Sequence, residues 1–225
     1  MAKTLLDQRV MGTALLERFG RVTVTGDLAT QLEAFTSTHR ALETATQAAD
    51  EACQLRDAAL AVIGTADASL DKSVDLLATR IVGAEMGNRK NPFASFSKHA
   101  PGKLLSLAYV TEISEVRGLA AQVAAKGPPE EVTRALGECL QRATEVEQAV
   151  VDLSGPQSTY DLKRAARDAA AMDWSKAYAK LRLRSEVAFE DDPETFKALF
   201  AEPERVQRPV KRRKAKNEAT PAIPD

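Results

Sequence analysis

The side chains that most often carry chemistry are sparse in this 225-residue chain, which holds two histidines and two cysteines. His39 falls between Phe35 and Leu42 on an apolar helical stripe, where a histidine reads as a core or interface residue rather than a ligand. His99 lies in a loop segment with no Cys, Asp or Glu beside it. No Glu-x-x-His, His-Glu-x-x-His or Cys-x-x-Cys pattern occurs, so neither a carboxylate-bridged di-metal bundle nor a zinc site is expected. Gly64, Gly83 and Gly87 are scattered and follow no strand, which leaves no phosphate cradle or dinucleotide fingerprint. A serine nucleophile would need one of the two histidines as its base. The expectation is a non-enzymatic protein with no cofactor, no catalytic residues and no metal ligands.

Cys53 and Cys139 both fall on apolar helical positions without metal-type spacing, and read as buried thiols of a reducing compartment. The start of the chain, Met1-Ala2-Lys3-Thr4-Leu5-Leu6-Asp7, has no continuous apolar stretch of the secretory kind. Apolar runs fall well short of the roughly 20 residues that cross a bilayer. The expected location is the cytoplasm.

Two basic segments stand out against a net charge of −1. Residues 88–103 hold four bases, no acid and two phenylalanines. Arg89, Lys90 and Lys98 could meet phosphate, and Phe93 and Phe96 could stack on bases. The competing reading has both phenylalanines capping the end of a helical core while the lysines solvate a turn. Residues 205–216 carry seven bases and no acid, with Lys211, Arg212, Arg213 and Lys214 at their centre. Such a run suits a solvated tail, an acidic protein partner or nucleic acid. Trp174, the single tryptophan, has Tyr178 at i+4 and reads as a core anchor.

The elements that would position these residues are helical. From Leu28 to Ile81, alternate steps of four and three meet Leu28, Leu32, Phe35, His39, Leu42, Thr46, Ala49, Cys53 and Arg56. The stepping continues through Leu60, Ile63, Asp67, Leu70, Val74, Leu77 and Ile81. A 3.5-residue repeat lines these side chains along one helical seam that a partner helix can cover. Asp27 is the expected N-cap, and the polar entries Arg56 and Asp67 with Gly64 predict a kink or short break near 62–67. Gly87 to Pro92 stops the region.

Further helices are expected over 4–18, 103–126, 130–153 and 158–187, with a turn or two of helix over 193–201. Arg21 to Thr25 is the one strand candidate, read as an extended linker or an edge that pairs with another chain. Aromatics make up 5% of residues, so the core must be built from Ala, Leu and Val, which suits closely packed helices. Residues 27–87 carry ten acids against four bases, whereas 158–187 carry seven bases against four acids, so these helices would pack favourably.

The fold expected is all-α, an elongated antiparallel helical bundle with coiled-coil-like heptad packing and a disordered basic C-terminal tail. Its parts are a short helix and linker over 1–26, the bundle over 27–189, and an acidic short helix followed by the basic tail over 190–225. Because the 27–63 arm outruns its neighbours, part of its seam should stay uncovered. The functional expectation is a structural, assembly or interaction protein that self-associates or docks a partner through Leu28, Leu32, Phe35, His39 and Leu42. The alternative is a nucleic-acid-associated protein using the tail and the 89–103 loop.

Overall fold

Thr4 opens the first helix by a reciprocal cap. Its hydroxyl accepts from the Asp7 amide at 3.2 Å while the Asp7 carboxylate accepts from the Thr4 amide at 3.1 Å. Two amides that a helix start would otherwise leave unpaired are thereby satisfied. The computed structural model describes residues 4–202, and the expected basic tail, with Lys211, Arg212, Arg213 and Lys214, lies outside the described residues. Seven helices follow in order: α1 (Leu5–Phe19), α2 (Gly26–Gly83), α3 (Pro101–Leu104), α4 (Tyr109–Ala124), α5 (Glu130–Asp152), α6 (Ser154–Ala188) and α7 (Pro193–Leu199). The described residues form an all-α helical bundle without a strand, and no described helix is long and apolar enough to cross a membrane. Residues 21–25, the strand candidate, form a turn and a non-helical linker.

The chain divides into two units, one of Ala34–Tyr178 and a smaller one of Met1–Glu33 with Ala179–Asp225. In the smaller unit α1 packs on α7. Phe19 meets Phe200 edge to face at 6.1 Å, and the Arg18 guanidinium donates to the carbonyls of Leu199 at 3.0 Å and Ala201 at 2.6 Å. Those carbonyls sit at the C-terminal end of α7, where the helix offers them no amide. Asp27 pairs with Arg184 at 3.1 Å and lies in the first turn of α2, not at its cap.

The larger unit holds the main core. Leu70, Val74, Leu77 and Ile81 of α2 pack with Ile113, Val116, Leu119 and Val123 of α4 and with Val132, Leu136, Cys139 and Val146 of α5. Arg80 of α2 meets Glu131 of α5, Arg56 lies 4.2 Å over the Tyr160 ring of α6, and Phe35 meets Trp174 at 5.6 Å. Numbers fall along α2 as they rise through α5 and α6, so within this unit both run antiparallel to α2. Arg117 and Glu147, at 2.6 Å, set α4 beside α5 after the turn at Gly127, whose φ of +63° suits glycine.

Three expectations of the helix map are corrected. α2 is helical straight through Gly64, so there is no break. A mid-helix glycine costs about 1 kcal/mol, while burying Ile63 and Leu70, 3% and 0% exposed, contributes about 1.5–3 kcal/mol each. The expected 103–126 helix is instead two, because the chain leaves the helix after Leu104 and restarts at Tyr109. Ser154-Gly155-Pro156 does not end a helix and reverse the chain; these residues start α6. Only Leu153 separates α5 from α6, and its right-handed helical conformation carries the chain onward. Pro156 is tolerated because a first turn needs no amide from it.

Candidate functional site

The seam of α2 is covered by its own chain over the residues expected to dock a partner. Phe35, His39 and Leu42 are buried, Leu28 is buried and Leu32 half-buried. This corrects the expectation of an open strip there. α6 supplies the cover within the larger unit: Trp174 stacks on Tyr178 at 5.1 Å and tilts against Phe35. The Trp174 indole N–H donates to His39 Nδ1 at 3.2 Å. An indole nitrogen can only donate, so Nδ1 must accept and the imidazole proton sits on Nε2, 3.6 Å from Glu43 Oε1. His39 is therefore a core histidine, as its apolar neighbours imply. The four-three burial lapses between Ala52 and Ile63, where Cys53 and Arg56 are half-buried and Leu60 is 45% exposed.

Phe93 and Phe96 are core side chains, packed with Leu104 under the loop that joins α2 to α4. Their burial agrees with the reading in which they cap the helical core and overturns the alternative of exposed stacking groups. Of the basic residues around them, Lys98 pairs with Glu115 at 2.9 Å, and Arg89 and Lys90 are exposed. Gly87 makes this loop possible, since a Cβ there would overlap the Pro92 carbonyl oxygen and lie 2.8 Å from Ile81 Cγ2. Of the cysteines, Cys139 is buried, with its thiol pushed up to about 11 by desolvation, and Cys53 is half-buried.

The group that composition did not announce is a convergence of three carboxylates in the larger unit. Asp67 and Asp71, one turn apart on α2, meet Glu112 in the first turn of α4, with one oxygen from each within 4.8 Å of the others. Glu112 is 1% exposed, and its Oε1 has no hydrogen-bond partner; neither has the buried Oδ1 of Asp71. Desolvation, and then the negative charges of Asp67 and Asp71, push the Glu112 carboxyl up to about 7. Asp71 is raised by burial and by Asp67 and Asp75, and Asp67 by burial. Chemically the three offer hard oxygen donors.

Sequence reasoning marked Asp67 as a charge on the seam but overlooked Asp71 and Glu112. A signal was present: Glu112, Val116, Leu119 and Val123 step by four, three and four, which puts a carboxylate on the buried stripe of α4.

No family model, curated protein or solved structure matches the chain.

Proposed function

We propose that this is a non-catalytic assembly protein that pairs with a second copy of itself through the outer face of α6. With the α2 seam occupied by Trp174 and its neighbours, the reading moves from the seam to a stripe on the covering helix. The observation that carries it is the spacing Leu162, Ala165, Ala169 and Met172, all exposed, with Leu162 at 73% and Met172 at 62%. Steps of three, four and three put these side chains on one face.

The stripe is symmetric about Arg167. In an antiparallel pair of copies Leu162 meets Met172 and Ala165 meets Ala169, so large ends flank a small centre on both partners. Alanines at the crossing let two helices approach closely, and such self-matching is what a two-fold interface requires. The buried His39 and the absence of a nucleophile–base pair in the motif pattern support a role that works by surface contact.

Light scattering of the full chain tests this. Wild-type protein is expected at about twice 24.3 kDa, and Leu162→Glu with Ala169→Glu is expected at 24.3 kDa with unchanged helicity. A wild-type monomer at high concentration overturns self-association. A dimer that survives both substitutions overturns the α6 face.

A further inference from the structure

The three carboxylates where α2 meets α4 lack what normally makes such an arrangement tolerable. Buried carboxylates are ordinarily paired with a cation or accept several hydrogen bonds. Here Glu112 is 1% exposed and its Oε1 is without a partner, Asp71 Oδ1 is likewise buried and without one, and the charges acting on Glu112 are both negative. A structural carboxylate on a buried stripe would be expected to meet Lys, Arg or a run of amides. Glu112 instead faces two more carboxylates.

We propose that Asp67, Asp71 and Glu112 bind one divalent, oxygen-preferring cation of the Mg²⁺, Mn²⁺ or Ca²⁺ class, with water completing its shell. An ion of this class holds oxygens at about 2.0–2.6 Å, which sets its ligands roughly 3–5 Å apart. The donor oxygens here lie within 4.8 Å of one another. The absence of nitrogen and sulfur donors from the set disfavours zinc and copper. Glu112 supplies the buried side of the site, while the half-buried Asp67 and Asp71 leave an approach for solvent and for the ion. Two positive charges offset most of the three negative ones and give the orphaned oxygens of Asp71 and Glu112 a partner.

The consequence is mechanical. α4 begins at Tyr109, its N-cap Ala108 offers no side-chain cap, and a non-helical stretch from Leu105 precedes it. A cation held between α2 and the first turn of α4 would cross-link the two helices at the end of α4 that no side chain caps. This role is independent of the α6 face, and its test reads a different quantity.

The experiment is calorimetric titration of the chelator-treated full chain with MnCl₂, CaCl₂ and MgCl₂ in separate runs, paired with thermal unfolding. One site per chain is expected. The melting temperature should rise by about 5–10 °C when the cation stands about a hundredfold above its Kd. A preference for Ca²⁺ over Mg²⁺ would identify the larger, irregular site, and the reverse the compact octahedral one. Glu112→Gln and, should that variant not fold, Asp71→Asn are expected to weaken binding about tenfold or more while keeping wild-type helicity. The proposal is overturned if none of the three cations binds or shifts the melting temperature at about 10 mM, roughly tenfold above the weak end of about 1 mM for protein calcium sites. It is equally overturned if a folded variant binds like wild type.

Discussion

Breaking the Trp174–His39 contact should show that the two side chains act as one unit in the core of the larger unit. In Trp174→Phe the ring remains against Phe35 and Tyr178, but His39 Nδ1 loses the donor now 3.2 Å away. Leaving a buried acceptor without that donor costs about 1–3 kcal/mol, and the smaller ring adds a void of about 1 kcal/mol. His39→Leu keeps an apolar side chain of similar reach but strands the indole N–H of a residue that is 1% exposed, again for about 1–3 kcal/mol. With both changes neither orphan exists. The double variant should therefore cost less than the sum of the singles by about 2–3 kcal/mol, the two orphan penalties it avoids. The assay is urea unfolding followed by far-ultraviolet circular dichroism on all four proteins, with equal m-values required before free energies are compared. At the chain's size each single change should lower the melting temperature by roughly 5–10 °C. Additivity within about 0.5 kcal/mol would refute the coupling, because independent sites add to that tolerance.

In the metal-free protein, the Glu112 carboxyl sits near 7 when folded against an ordinary value of 4.5, so the folded state binds the extra proton between these limits. Stability contributed by that proton is full below about pH 4.5 and is lost as pH rises through 7; Glu112→Gln, measured in chelator by denaturant unfolding, should flatten that loss relative to wild type. Cys139, raised from 9.0 to about 11, should resist a thiol reagent at pH 8 until the chain unfolds, while the half-buried Cys53 reacts; its contribution to stability holds below pH 9 and fades as pH rises through 11. Gly87→Ala should destabilise by about 2–3 kcal/mol in the same unfolding assay, because the methyl group meets the Pro92 carbonyl and the Ile81 side chain. Arg117→Ala, which removes an exposed bidentate pair with Glu147, should cost less than about 1 kcal/mol and so serve as the control for a surface change.

Much of the helical map was legible because helix formation and amphipathic patterning are local. The seam positions Phe35, Leu42, Ala49, Leu70, Val74, Leu77 and Ile81 are buried as their spacing requires. Pro129 before Glu130 and Gly127 before it suit the turn into α5, since one residue lacks an amide and the other adopts a positive φ. Gly64 stays helical because its propensity penalty is outweighed by the burial on either side of it, which residue type alone does not reveal. The expected gap between helices 130–153 and 158–187 fails for a related reason: a proline such as Pro156 forbids a helix interior but suits a first turn, and the residue type alone does not say which turn it occupies.

What the sequence by itself determined, then, is the all-α character and the placement of apolar stripes, because each depends on neighbours within a turn or two. Only the tertiary structure decided which stripe is covered and by what. The α2 seam looked open because its length exceeded any single expected partner, yet the near-seamless passage from α5 to α6 supplies a partner of matching length within the larger unit. Likewise Asp67, Asp71 and Glu112 lie on two helices separated by a long crossover, and a spacing rule cannot see across it. Their convergence arises from the packing of α4 on α2, and so does the desolvation that raises the Glu112 carboxyl.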